Sequence, residues 1–331
     1  MPIVSREVHL IARPNGMPRE EEFAVVEQTV PDAADGEIQV QNLYVSVDPA
    51  MRPRLSAGQA LNEPLAGYAI GRVVQSRNPA FREGDIVQNW SSFREYFVSS
   101  GRGVSKLDVD PALSISVYLH TLGGSGFVAY GGLLDIGKLQ DGEQVFVSTA
   151  AGSVGSIAAQ IAKIKGCYVI GSTGSEEKCR WLKDDLRIDA VINYKSEPIR
   201  TALKEKAPNG IDVYFDNVGG DHLDAALPRM NLLGRIPVCG MISAYNTAGA
   251  ISSPVTTLSN IIYKRVTLRG FVATDFMHLR EQFVADMTGW LKDGRVKYEE
   301  TIYDGIENAP KALIGMLNGA NTGKMLVRLS A

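Results

Sequence analysis

Hydrophobic and polar positions change rhythm once along this chain. Over the first 120 residues they alternate in short runs, at Glu37 to Val45, Tyr68 to Gln75, Asp85 to Trp90 and Arg94 to Val98. β-Branched residues fill these runs, and turn clusters such as Arg-Pro-Asn-Gly and Arg-Glu-Gly-Asp separate them. Period-two alternation cut by Gly and Pro predicts a compact, mainly antiparallel β domain. Around Leu113 to Leu134 the pattern lengthens and becomes helical, broken by Gly123, Gly124 and Gly126, and the crossing between domains is placed there.

From Glu143 onward, apolar runs of strand length alternate with segments of helical period. A helix is predicted from about Val154 to Lys165, with Ile157, Ala158, Ile161, Ala162 and Ile164 on its apolar side and Gly166 as its stop. After the strand that ends near Val147, further strands are predicted at Tyr168 to Gly171, Ala190 to Tyr194, Ile211 to Asp216, Arg235 to Gly240 and Thr267 to Val272. Ser175 is the expected N-cap of a helix through about Leu186, and His278 to Lys292 reads as a strongly amphipathic helix. Six strands alternating with helices predict an α/β fold with a parallel, doubly wound sheet. The tail reads as a helix, Pro310 to Asn318, and a last strand, Lys324 to Leu329, that returns to the first domain. The expected division is therefore 1–124 with 305–331, around a second domain at 125–304.

The stretch from Val145 to Asn193 carries the first chemical signal. A β-branched run ends in Ser-Thr-Ala-Ala-Gly-Ser-Val-Gly-Ser, and a helix and a second strand follow. That is the order of a dinucleotide-binding βαβ unit. Gly152 lets the backbone approach a pyrophosphate, Gly155 lets the helix sit close to the strand, and the helix N-terminus offers free N–H groups to phosphate. Ala150 stands where the first glycine of the motif is usual. A small-residue turn between strand and helix has the same look without a nucleotide, so context must decide.

Composition narrows the classes. The chain has 331 residues, 45% hydrophobic and 21% charged, with a net charge of −3, which suits two globular domains. No basic cluster points to nucleic acid, and no apolar run approaches the roughly 20 residues that cross a bilayer. The opening Met-Pro-Ile-Val-Ser-Arg-Glu-Val-His carries no signal-peptide apolar region. Cys167, Cys179 and Cys239 are sparse and lack CxxC spacing, which fits a reducing, cytoplasmic setting. His9, His120, His222 and His278 are scattered and read as surface or core rather than ligands, so no metal is expected. Without a Gly-x-Ser-x-Gly elbow, the chemistry must come mainly from the cofactor.

The end of the second strand separates the two nicotinamide cofactors. An NAD site places a carboxylate about 20 residues after the glycine turn to hold the ribose 2′-hydroxyl. That count from Gly152 falls on Ser172, in Gly-Ser-Thr-Gly-Ser, where no carboxylate repels a 2′-phosphate. Lys178 would lie in the first turn of the helix capped by Ser175, where a cation opposes the macrodipole at roughly 0.3–1 kcal/mol. A phosphate would make that position favourable. A solvated lysine balanced by Glu176 and Glu177 is the alternative. The balance favours NADP(H).

Across nearly its whole length the chain resembles zinc-independent medium-chain dehydrogenases/reductases. The resemblance is to the NADPH-dependent 2-alkenal/prostaglandin reductase family, which includes leukotriene B4 12-hydroxydehydrogenase and curcumin reductase. It is carried by Arg-Pro-Asn-Gly-Met-Pro at 13–18, Ser-Val-Asp-Pro-Ala-Met-Arg at 46–52, Ala-Ala-Gly-Ser-Val-Gly-Ser at 150–156 and Gly-Ser-Glu-Glu-Lys at 174–178. It continues in Tyr-Phe-Asp-Asn-Val-Gly-Gly at 214–220, Cys-Gly-Met-Ile-Ser-Ala-Tyr-Asn at 239–246 and Asn-Thr-Gly-Lys at 321–324. It implies a GroES-like β domain, a Rossmann domain and an active site in the cleft between them. Ser46 stands where zinc-dependent relatives carry a cysteine, and Gly67-Tyr68-Ala69 where they carry Gly-His-Glu, so the resemblance too implies no metal.

Residue by residue, the resemblance implies that Gly152, Ser153, Val154 and Gly155 hold the pyrophosphate and that Lys178 and Tyr194 hold the 2′-phosphate. Asn217 would contact the cofactor near the ribose, and Asn321 would reach its phosphates; a plain turn is the alternative at each. Cys239 to Tyr245, with Phe271, Val272 and Ala273, would line the nicotinamide side. The implied reaction reduces a carbon–carbon double bond conjugated to a carbonyl. Hydride goes to the β-carbon, and Tyr245 is the expected catalytic donor to the enolate oxygen. Phenols carry their proton at neutral pH. The alternative is an aromatic that only covers the cofactor.

Two departures fall where the substrate pocket is expected. Ala50 replaces the tyrosine of the family's Asp-Pro-Tyr-Met-Arg, and Gly124 to Tyr130 replaces Met-Pro-Gly-Leu-Thr-Ala-Tyr, with Val128 in place of the threonine. These changes reshape the pocket, and a medium-sized, largely apolar enone or enal is the expected substrate. A quinone reductase of the same superfamily and a non-catalytic NADPH-binding protein remain the alternatives. A homodimer paired along Thr267 to Val272 is expected by analogy with the family.

Overall fold

A computed structural model describes residues 3–247 and 254–330. The chain separates into two compact units, Met1–Leu119 with Glu300–Ala331, and His120–Glu299.

The first unit opens with a hairpin, β1 (Ile3–Leu10) against β2 (Phe23–Val30). It continues through β3 (Ile38–Ser46), α1 (Met51–Ala57), β4 (Ala69–Ser76), β5 (Ile86–Asn89), β6 (Tyr96–Ser99) and β7 (Ser105–Lys106). Strand β3 pairs antiparallel with both β4 and β6, and the alternating runs of the sequence put Ile38, Val40, Val73, Val87 and Phe97 into one buried cluster.

The second unit begins with α2 (Gly124–Gly131) and then β8 (Gln144–Val147), α3 (Ser153–Ile164), β9 (Tyr168–Thr173) and α4 (Glu176–Arg180). It continues with β10 (Ala190–Asn193), α5 (Ile199–Lys206), β11 (Ile211–Phe215), α6 (Gly220–Ala226) and β12 (Met230–Val238). It closes with α7 (Ser259–Lys264), β13 (Thr267–Gly270) and α8 (Arg280–Lys292). Its strands lie in the order β10-β9-β8-β11-β12-β13, all parallel, which is the doubly wound dinucleotide order. Phe146, Ile170, Ile192, Tyr214 and Ile236 fill one face of it.

The chain then returns to the first unit. Strand β14 (Glu300–Asp304) lies parallel to β15 (Lys324–Arg328), with α9 (Ala309–Leu317) between them in sequence. Strand β15 pairs antiparallel with β3, so the first unit is discontinuous in sequence. Lys324, only 2% exposed, pairs there with Asp48 and donates to the Val47 carbonyl at 3.2 Å.

Three element readings need correction. The fifth strand of the sheet begins at Met230 rather than Arg235, because residues 231–234 form a bulged part of β12, with Leu233 at φ +62°. The sixth stops at Gly270, two residues early. Helix α8 starts at Arg280 and buries only Phe283, Met287 and Trp290, a narrower apolar face than its sequence promised. Among the described residues no helix is long and apolar enough to cross a membrane.

Candidate functional site

The C-terminal ends of β8, β9, β10, β11 and β12 gather nine of the sequence-predicted positions at one edge of the parallel sheet, from Gly152 to Tyr245. Beyond Val147 the backbone turns through Thr149 at φ +52° to Gly152, the extended N-cap residue of α3. Gly152 N–H bonds the Thr149 carbonyl at 2.9 Å, and Ala150 N–H bonds the Ser172 carbonyl at 2.8 Å, tying the turn to the end of β9. The methyl of Ala150 fits against Gly171, where a side chain would come within 2.8 Å of it. The hydroxyls of Ser153, at the first turn of α3, and of Ser172 are buried without a protein partner. Two orphaned donors beside a free helix N-terminus fit the pyrophosphate and ribose of a dinucleotide.

The ends of β9 and β10 frame the next part. Ser175 caps α4, its hydroxyl accepting from Lys178 N–H at 3.3 Å. Ser172, where an NAD site has a carboxylate, lies in register with Ile192. Burial lowers the proton affinity of Lys178, Lys195 lowers it further, and Glu177 opposes both. Tyr194, just past β10, meets the ring of His222 edge-on at 5.1 Å. Burial raises the pKa of its phenol. His222 is buried, its Nε2 has no partner, and burial pushes its pKa down to about 4 against the pull of Asp221.

Beyond β11, Asp216 holds the third part together. Its Oδ1 accepts from the Tyr214 hydroxyl at 2.6 Å, Gly219 N–H at 2.8 Å and Val218 N–H at 2.9 Å. Its carbonyl accepts from Cys239 N–H at 2.8 Å and Gly240 N–H at 3.1 Å, joining β11 to the end of β12. Burial raises the carboxyl pKa, and the Gly219 and Tyr214 hydrogen bonds oppose that rise. Asn217 is fixed to Ser148: its N–H donates to Ser148 Oγ at 2.9 Å and its Nδ2 to the Ser148 carbonyl at 2.7 Å. The side-chain oxygen of Asn217 is thus the part left to meet a ligand.

The loop after β12 carries Tyr245. Its hydroxyl oxygen accepts from Met241 N–H at 3.4 Å, which leaves the hydroxyl proton to donate elsewhere. Cys239 sits beside Asp216, and burial, then that carboxylate, push its thiol up to about 12. Phe271 turns its ring toward Phe215 and Phe276, with centroids at 6.2 and 5.9 Å, and covers Gly132. Val272 is exposed and Ala273 half-buried.

Of the predicted pocket positions in the second unit, Gly124 is exposed at the start of α2 and Val128 is half-buried on the same helix. Gly126 is required there, since a side chain would sit 1.9 Å from the Thr121 carbonyl oxygen. In the first unit Ala50 is exposed at the N-terminus of α1, and Asn321 Nδ2 donates to the Gly323 carbonyl at 2.7 Å. Ser46 is buried and donates to Asp48 at 2.5 Å. Among the described residues no group of three or more His, Cys, Asp and Glu is placed to hold a metal.

Sequence reasoning passed over Ser148, Ser172 Oγ, Asp216, Lys195 and His222 as parts of this edge. The one usable signal was Asp-Asn-Val-Gly-Gly, whose Asp216 follows Val213-Tyr214-Phe215.

A family model described as the N-terminal domain of oxidoreductase matches residues 6–107, and one described as zinc-binding dehydrogenase matches residues 153–291. The NADPH-dependent curcumin reductase of Escherichia coli is 38% identical over 97% of this chain and 96% of its own. The NADP(+)-dependent 2-alkenal reductase of Nicotiana tabacum is 38% identical over 99% of this chain and 98% of its own. The chain belongs to the 2-alkenal, prostaglandin and curcumin reductase family of medium-chain dehydrogenases/reductases. Among solved structures, this reductase is similar to CurA from Vibrio vulnificus in complex with NADPH, with a TM-score of 0.93, 38% identity and coverage of 98% of this chain and 99% of that one. The reductase family thus accounts for both the GroES-like and the Rossmann parts of the fold.

Proposed function

We propose that the protein is an NADPH-dependent reductase of the carbon–carbon double bond in α,β-unsaturated ketones and aldehydes. The observation that carries this is a phenol, Tyr245, whose proton has no acceptor among the described residues, at the same sheet edge as the phosphate turn and as Ser172, which stands where an NAD site has a carboxylate. The bound cofactor supplies a hydride, which the substrate takes at its β-carbon.

The protein's residues do the rest. Gly152, Ser153, Val154 and Gly155 hold the pyrophosphate, Lys178 and Tyr194 the 2′-phosphate, and Asn217, fixed by Ser148, the ribose side. Cys239 to Tyr245, with the segment from Phe271 to Ala273, lines the nicotinamide. As the carbonyl oxygen of the substrate gains negative charge, the Tyr245 hydroxyl donates to it. A proton then reaches the α-carbon and completes the saturated product. Gly124 and Val128 leave room for a medium-sized, largely apolar substrate.

The test is to follow the loss of the reduced-nicotinamide absorbance with 2-alkenals, enones and quinones. Turnover of enones and enals is expected. Turnover of quinones alone, or binding without turnover, overturns the proposal, and the same assay with NADH tests the cofactor preference.

We also propose a homodimer in the cytoplasm. Strand β13 is an exposed sheet edge, and Ile262 and Tyr263 on the neighbouring α7 are 75% and 80% exposed, an apolar rim of the kind that pairing covers. Light scattering should give about the mass of two chains, and the mass of one chain would overturn the dimer. Three free thiols suit a reducing compartment.

A further inference from the structure

Strands β9 and β10 end side by side, with Asn193 opposite Thr173 and Tyr194 N–H bonded to the Thr173 carbonyl at 3.1 Å. The two chains therefore leave the sheet together. One carries Gly174, Ser175 and Lys178; the other carries Tyr194 and Lys195. At Gly174 a side chain would come within 2.8 Å of the Tyr194 hydroxyl oxygen and 3.3 Å of Lys195 Cε. The phenol oxygen and the lysine stem are both laid across the bare backbone of that glycine. His222 fixes the tyrosine ring from below and carries no charge at neutral pH.

The stem of Lys195 and the Tyr194 phenol thus meet over Gly174, and the chain beyond that glycine leads to Lys178. The two lysines act on each other, since Lys195 lowers the proton affinity of Lys178 after burial has done so. Of the acids around them, Glu176 accepts from Asn193, Glu197 pairs with Lys206 at 2.6 Å, and Glu177 pulls on Lys178 in the opposite sense to Lys195. Two like charges near one another favour an anion between them. A phosphate monoester carries nearly two negative charges and three acceptor oxygens, so it matches two cations better than one.

We propose that Lys195 is a second cation for the 2′-phosphate and, with Lys178, sets the preference for NADPH over NADH. The inference rests on the cofactor reading given above and adds a residue that the motifs do not contain.

The experiment measures equilibrium binding by calorimetry to the full-length protein, with 2′,5′-ADP and 5′-AMP as probes, and with NADPH and NADH. The variants are Lys195→Ala, Lys195→Arg and Lys178→Ala. Lys195→Ala should weaken 2′,5′-ADP and NADPH by roughly tenfold to a hundredfold. It should leave 5′-AMP and NADH unchanged and flatten the salt dependence of 2′,5′-ADP binding. Lys195→Arg should keep most of the affinity. Equal weakening of all four ligands overturns the proposal, because it marks a structural role. So does an unchanged Lys195→Ala beside a Lys178→Ala that loses 2′,5′-ADP selectively, and the cofactor reading then stands. If neither variant changes the ratio of NADPH to NADH affinity, the assignment of the 2′-phosphate end itself fails.

Discussion

A methyl group at Gly155 would lie 2.2 Å from the carbonyl oxygen of Thr149, which is why α3 rests directly on the phosphate turn. The same turn holds Thr149 at φ +52°, an uncommon backbone conformation for a β-branched residue. Gly155→Ala must push the helix off the turn, because the obstacle is backbone and cannot rotate away. A loss of about 1–3 kcal/mol is expected, read as a lower Tm together with loss of NADPH binding. Gly152 is different. A methyl there meets the Thr149 methyl at 3.1 Å and its carbonyl oxygen at 3.2 Å, contacts that a small shift relieves. Gly152→Ala should keep Tm nearly unchanged and weaken NADPH, since the methyl takes the place a phosphate approaches. Equal effects of the two substitutions would contradict this division of roles.

Tyr245 is argued to act through its proton, not its bulk. Tyr245→Phe keeps the ring and removes the hydroxyl, and with it the donor proton and the weak acceptance from Met241 N–H. Turnover with an enone should fall on the order of a hundredfold, with the Kd of NADPH unchanged. Unchanged turnover would reduce the residue to a cover for the cofactor, and weakened NADPH would make it a binding residue.

The parallel sheet was legible because its strands are buried on both faces and read as largely apolar runs, such as Val145 to Val147 and Val213 to Phe215. Helix α3 and its Gly166 stop were legible for the same local reason. The start of β12 was not, because its bulge needs a polar and a glycine residue that imitate a turn. The hairpin of β1 and β2 escaped because Phe23 to Val30 exposes most of one face and shows weak contrast. The site divides likewise. Gly152, Gly155 and Lys178 sit within one βαβ unit and the helix that follows it, where spacing along the chain measures distance in space. Ser148 meets Asn217 across 69 residues, and Lys195 reaches Gly174 only through the register of two strands. No spacing rule reports such pairs.

The three cysteines should be slow to react in the folded protein. Burial pushes up the pKa of the Cys167 and Cys179 thiols, and burial followed by Asp216 pushes up that of Cys239. Thiolate is the reactive form, so each is held in its unreactive state at neutral pH. Native protein treated with iodoacetamide at pH 7.5 should retain its thiols and its activity, while unfolded protein should label at all three. Rapid native labelling of Cys239 would show that the end of β12 opens in solution.

His222 makes stability depend on pH with a definite sign. Its ring lies parallel to Phe146 at 6.4 Å and beneath Tyr194, and burial lowers its pKa from 6.5 to about 4. The unfolded chain therefore binds a proton below pH 6.5 that the folded chain refuses until about pH 4. Stability from this group is complete above pH 6.5 and drains away as pH falls through that window. The full effect is about 3 kcal/mol. Chemical denaturation at steps between pH 7 and 4 should show this decline in the native protein. In His222→Phe, which keeps an aromatic ring under Tyr194 and has nothing to protonate, the decline should be shallower by about that amount. The substitution also leaves both lysines in place, so NADPH affinity should change little at neutral pH. An identical pH slope in the two proteins would mean that His222 reaches solvent and takes up its proton in the folded state.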